Sequence, residues 1–153
     1  MRRVIGDGRK AFRDAVARRF EGVVTKRLSS HYLTNRRGTA WRKIKDTQEL
    51  ACAVIGFRTG ADGLKDLQVA ALVDGAPAYV GSVELGIRGG RELVERLNAS
   101  RIPKPAVPCS LSARWVAPEL AGEVRFCGWR RGRIWRDAVL VRWENVPGKR
   151  SLV

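Results

Sequence analysis

The sequence is poor in the residues that build redox and metal sites. Of 153 residues, three are cysteine (Cys52, Cys109 and Cys127) and one is histidine, His31. No two cysteines form a Cys-x-x-Cys pair, and a zinc site needs ligands more closely spaced than these. Three reduced thiols, at least two of them buried, are therefore expected in a cytoplasmic protein. No apolar run approaches membrane-spanning length. The stretch from Met1 to Gly8 lacks the apolar segment of a secretory signal. Acidic residues are scarce as well: 15 Asp and Glu stand against 30 Lys and Arg, a net charge of +15.

That charge is uneven. Residues 1–46 carry 14 basic and 4 acidic residues, residues 47–100 carry 5 and 7, and residues 101–153 carry 11 and 4. General solubility would spread the charge evenly, whereas two basic ends around a neutral middle fit a polyanionic partner. An anionic membrane surface is the alternative polyanion. The basic residues fall largely in β-like segments instead of on an amphipathic helix, which favours nucleic acid and argues against a membrane partner. Hydrophobic residues make up 44% of the chain, enough to build a core.

Helical spacing of Phe12, Ala15, Val16 and Arg19 predicts a helix over Arg9–Phe20, with Asp7 as its cap. Strands are predicted over Glu21–Leu28 and Trp41–Lys45, the second with Trp41, Lys43 and Lys45 on one face. A composition shift at Asp46 to Gln48 marks a domain boundary, giving domains over 1–46 and 47–150. Beyond it the pattern predicts strands at Glu49–Thr59, Leu67–Val73 and Ala78–Leu85, and a helix through about Leu97. A Pro-rich connector at Ile102–Pro108 follows, then short strands at Trp115–Val116 and Glu123–Trp129. A hairpin turning at Arg131–Gly132 and running over Arg133–Trp143 completes the chain. Asp74–Gly75 is a further hairpin signal. Three strands, a helix and two more strands form the order of a five-stranded OB-fold barrel, in a mainly β chain with minor α content. An SH3-like barrel or a small α+β sheet also fits the order alone.

Two strings in the basic N-terminal part carry more information than the rest: Glu21 to Lys26 (Glu-Gly-Val-Val-Thr-Lys) and Trp41 to Lys45 (Trp-Arg-Lys-Ile-Lys). From Lys26 to Lys45 there are seven Lys and Arg and no acidic residue. Either string alone fits a surface strand with solvated charges. Together they can wall a nucleotide pocket, the lysines neutralising phosphate as point charges and the carboxylate holding a ribose hydroxyl or a hydrated divalent ion.

Together, in this order, the strings resemble ATP-dependent DNA ligases, especially the bacterial ligases of end-joining systems. Further segments carry the resemblance: Ser30-His31-Tyr32, Arg36-Arg37, Trp115 to Leu120, Val124 to Trp129, and Arg142 to Asn145. It covers nearly the whole chain. It implies that residues 1–46, a helix and two strands, are the end of a nucleotidyltransferase (adenylation) domain and that the OB-fold domain follows. It further implies that Glu21 contacts the nucleotide and its Mg²⁺, with Lys26 and Arg37 in the same nucleotide site. Lys43 and Lys45 would contact the α-phosphate of the adenylate. Arg142 would orient the leaving pyrophosphate when the OB domain closes over ATP. The setting would be the bacterial cytosol and nucleoid.

The sequence also departs from the family pattern. None of its seven lysines is followed by x-Asp-Gly, so the nucleophile of the self-adenylation step is absent. Glu144 and Asn145 stand where Asp and Lys are usual. The expectation is a C-terminal portion of a ligase, truncated or split from a catalytic lobe on another polypeptide. A stand-alone OB-fold DNA-binding module and an enzyme of another class on the same scaffold are the alternatives. DNA would be gripped by Arg125, Arg130, Arg131, Arg133 and Arg136, which surround Trp129 and Trp135, with Trp129 itself in the core.

Overall fold

Asp7 starts the first element. In the computed structural model, which describes residues 5–30, 38–61, 63–86 and 90–146, its carboxylate accepts from the amides of Arg9 (2.9 Å) and Lys10 (3.1 Å). This caps helix α1, Gly8–Ala17. The helix is shorter than its apolar spacing predicts. Arg19 turns left-handed at φ 61°, and the amide of Phe20 reaches back to the carbonyl of Ala15, which closes the C-terminus. Strands β1 (Gly22–Lys26) and β2 (Trp41–Lys45) pair antiparallel. Helix α1 packs on β1, with Phe12 and Val16 half-buried and Phe20 left 61% exposed.

The chain divides into two compact units, Met1–Asp46 and Thr47–Val153. The second unit contains β3 (Gln48–Gly60), β4 (Gly63–Val73), β5 (Ala76–Leu85), α2 (Gly90–Ala99) and β6 (Arg114–Phe126). The short strands β7 (Gly128–Arg130) and β8 (Arg133–Arg136) follow, then β9 (Val139–Asn145). Five strands close a barrel in the order β3-β4-β5-β9-β6. That is the OB-fold order, with α2 between the third and fourth barrel strands, and it sets aside the SH3-like and open-sheet alternatives. Alternation in β4 sends Leu67, Val69 and Ala71 inward. Leu93 and Leu97 of α2 join the same core. Ile55, Ala70 and Val107 form a second cluster with Tyr79 and Trp115. Val107 belongs to the Pro-rich connector predicted between α2 and β6. Among the described residues no helix is long and apolar enough to cross a membrane.

Three local expectations are corrected. The segments at Trp115–Val116 and Glu123–Trp129 are not two short strands: the first and residues 123–126 are one strand, β6, running through Pro118, and residues 128–129 belong to β7. The register with β3 shifts here, Val54 facing Leu120 and Gly56 facing Trp115, so Pro118 lies in a discontinuity where its missing N–H breaks no regular ladder. The segment Arg133–Trp143 is two strands. Asp137, at φ 50°, separates β8, which pairs only with β7 outside the barrel, from β9 inside it. Of the three thiols only Cys52 is buried; Cys109 and Cys127 are half-exposed, and all three are free.

Candidate nucleotide and nucleic-acid surfaces

In the N-terminal unit, Gly22 faces Lys45, Val24 faces Lys43 and Lys26 faces Trp41. Cross-strand partners share a face, so Lys26, Lys43 and Lys45 stand on one face with Val24 and Trp41. Val23, Thr25, Arg42 and Ile44 take the other. Two contacts order the lysine face. Glu21 pairs with Lys45 at 3.2 Å, and the Lys26 ammonium lies 3.6 Å from the centre of the Trp41 ring. A phosphate arriving here meets three ammonium groups on a two-stranded platform. Among the described residues no cluster of three or more His, Cys, Asp or Glu side chains is placed to hold a metal. Glu21 is a single carboxylate, which suits Mg²⁺ bound jointly with nucleotide phosphates but does not make a protein cage. Arg36, Arg37, His31 and Tyr32 lie outside the described residues, as does the side chain of Trp135.

In the barrel unit the predicted arginines separate into two groups. Arg125 and Arg142 sit on the barrel wall. Arg125 donates to Glu49 at 2.8 and 3.0 Å, its register partner across β3 and β6. Arg142 pairs with Glu123 at 3.1 Å, its register partner across β6 and β9. The Arg125 hydrogen bonds, seconded by one to Glu123, hold the exposed Glu49 carboxyl below the usual range. The structure therefore does not bring Arg125 into the hairpin cluster. Chain proximity suggested that grouping, but the β3–β6 register gave Arg125 a different neighbour.

Arg130, Arg131, Arg133 and Arg136 lie exposed on the β7–β8 hairpin. Its turn residues Arg131 and Gly132 are both left-handed, φ 51° and 73°, as a two-residue hairpin turn requires. Arg130 and Arg133 are cross-strand partners. Trp129, expected in the core, is 40% exposed. It belongs to the hairpin and meets Phe126 at a tilt of 44°, ring centres 5.9 Å apart. A cleft of about 330 Å³ beside the hairpin is lined by Ser82, Glu84, Ile134, Arg136 and Asp137, among others. Its mixed charge favours neither anion nor cation.

Sequence reasoning missed a polar network around buried Gln68, which is fully inaccessible. Gln68 donates to Asp66 (2.7 Å) and accepts from Tyr79 (3.0 Å) and Ser82 (2.8 Å). Asp66 in turn accepts from Arg58 Nε (2.8 Å). The available signal was Asp66 and Gln68 alternating with apolar Leu67 and Val69 in one strand.

No family model matches the chain. It is 35% identical to the multifunctional non-homologous end joining protein LigD of Mycolicibacterium smegmatis over 136 residues, 79% of this chain and 18% of that protein. It is 32% identical to a probable DNA ligase of Anaeromyxobacter dehalogenans over 150 residues, 95% of this chain and 29% of that one. The chain thus spans less than a third of these relatives. Among solved structures it resembles the ligase domain of M. tuberculosis LigD, with TM-score 0.58 and 27% identity over 91% of this chain and 49% of that one. It also resembles a mycobacterial DNA ligase D complexed with ATP, with TM-score 0.55 and 28% identity over 92% of this chain and 48% of that one.

Proposed function

The chain is a homologue of bacterial ATP-dependent DNA ligases over most of its length, and on that premise we propose that it is the C-terminal segment of such a ligase. In this reading residues 1–46 are the end of the adenylation domain and residues 47–150 the OB-fold domain. The chain binds DNA and contributes to nick sealing in repair and recombination together with a catalytic lobe carried elsewhere. The observation that carries the reading is the lysine face: Lys26, Lys43 and Lys45 on one side of β1–β2, with Glu21 bonded to Lys45.

Ligation is a series of phosphoryl-type transfers, in which positioning and charge neutralisation supply most of the rate. Lys43 and Lys45 neutralise phosphate oxygens of the adenylate, while Lys26 is held in place by Trp41. Arg37 joins them at the same nucleotide. Glu21 exchanges its contact with Lys45 for the nucleotide side. Mg²⁺, when bound with ATP, supplies further charge neutralisation on the phosphates. Arg142 serves the pyrophosphate by exchanging Glu123 for it. The hairpin arginines Arg130, Arg131, Arg133 and Arg136 bind backbone phosphates. Arg125 adds to them on release from Glu49. A ligase acts at any sequence, so backbone and duplex shape are read in preference to base edges.

A second reading, a non-catalytic OB-fold DNA-binding module, is favoured by the absence of a Lys-x-Asp-Gly string from this sequence. Incubation with α-labelled ATP, Mg²⁺ and nicked duplex tests the first reading, with parallel titration of nicked and intact DNA. DNA binding without label on this chain is expected. Sealing restored by adding the nucleophile-bearing half of a LigD ligase domain supports the ligase segment. Binding with no restored sealing supports the module. Covalent label on this chain alone sinks the account of the missing nucleophile.

A further inference from the structure

The β7–β8 hairpin needs an anchor. Strands of three and four residues outside the barrel do not hold a conformation by themselves in water. On the apolar side Ile134 packs against the core, over Gly81, where an added side chain would come within 3.4 Å of it. On the basic side the Arg133 guanidinium lies 5.4 Å from the centre of the Tyr79 ring on β5.

That ring is held from its far end. The Tyr79 hydroxyl sits 3.0 Å from Gln68 Oε1 and 3.1 Å from Ser82 Oγ. Gln68 is itself fixed through Asp66 to Arg58. Among the described residues no buried side-chain nitrogen or oxygen lacks a hydrogen-bond partner, so each buried member of the network is satisfied. Burial raises the Tyr79 phenol above its ordinary range.

We propose that Tyr79 is the positioning residue of the arginine hairpin. Its ring, clamped by Gln68 and Ser82, holds Arg133 and with it the cross-strand neighbour Arg130, so that the tip meets a phosphodiester backbone already ordered. The inference rests on the reading of the hairpin as a DNA contact. Preorganising flexible cations lowers the ordering cost of binding them to phosphate.

The test uses the full chain and three variants, Tyr79→Leu, Tyr79→Phe and Arg133→Gln. Amide hydrogen exchange is followed over residues 128–136, and duplex binding is followed against salt. Tyr79→Leu should speed hairpin exchange and weaken binding by about two- to fivefold, the size of a surface cation–π contact. Amides of α2, whose buried residues lie outside the Tyr79 cluster, should be unchanged. Tyr79→Phe, which keeps the ring but removes the hydroxyl that clamps it, should fall between the parent and Tyr79→Leu in both readouts. Arg133→Gln should loosen the hairpin as Tyr79→Leu does, and it also lowers the salt slope by about 0.9 for its own phosphate. It provides the same reading if Tyr79→Leu fails to fold. A Tyr79→Phe variant indistinguishable from the parent, or unchanged hairpin exchange in Tyr79→Leu and Arg133→Gln, overturns the proposal. If Arg130→Ala with Arg131→Ala leaves DNA binding intact, the DNA reading of the hairpin fails instead, while the exchange data still judge the anchor.

Discussion

At position 22 a methyl group has nowhere to go. Gly22 has φ 145°, and a Cβ there would stand 2.0 Å from the carbonyl oxygen of Ile44. The neighbour is backbone and cannot swing away, so the second residue of the Glu-Gly-Val-Val string is set by β2 pressing against it. Gly22→Ala is expected to cost on the order of 3 kcal/mol and to unpair β1 from β2. Amide exchange over residues 22–26 and 41–45 reads this, with barrel amides as the unaffected control. Cys52 is a second site governed by its surroundings. Burial pushes its thiol up to about 12 from 9.0. A proton held more tightly in the folded state adds stability that is complete below pH 9 and drains as pH rises toward 12. The loss is about 1.4 kcal/mol per pH unit in that window. Tyr79, also raised by burial, adds a loss of the same sign above pH 10. Denaturant titrations at pH 8 and pH 10.5 should show a smaller decline for Cys52→Ala than for the parent. Cys109 and Cys127 should react with a thiol reagent before Cys52 does.

Among the elements, β6 and the hairpin part most clearly from local rules. Pro118 reads as a strand end, yet β6 continues through it because the bulge against β3 takes up the missing donor. The hairpin reads as the last pair of the barrel, yet β6 pairs directly with β9 and β7–β8 is an insertion between them. The barrel therefore closes without it. Replacing residues 128–136 by a short Gly-Ser turn should leave a folded barrel, weakened by roughly 1–3 kcal/mol for the lost Ile134 packing. The same change should lower duplex affinity at least about tenfold through four lost arginines. Circular dichroism and anisotropy titration check the two parts. An unfolded barrel would show that the hairpin is structural.

On the scale of the whole molecule, the net charge of +15 is concentrated at both ends of the sequence. Arg130, Arg131, Arg133 and Arg136 predict a salt slope of about −3.6, and so a loss on the order of 10²-fold in duplex affinity between 50 and 200 mM salt. A flat response would remove the phosphate-backbone reading. Much of this molecule is determined by the sequence alone. The apolar runs of β3, β4 and β5 and the turn residues Asp74–Gly75 and Arg131–Gly132 act within a few residues, so these strands and the two turns are legible locally. Lys43 and Lys45 are legible for the same reason, since alternation in β2 places them on one face with Trp41, whereas Lys26 joins that face only through the β1–β2 register. Only the tertiary structure decided which strands close the barrel, that Arg125 belongs to Glu49 and not to the hairpin, that Trp129 stands at the surface, and that Gln68 and Tyr79 form a clamp. Each depends on register between segments far apart in sequence. A shift of one residue there exchanges inside for outside, and no local pattern carries that information.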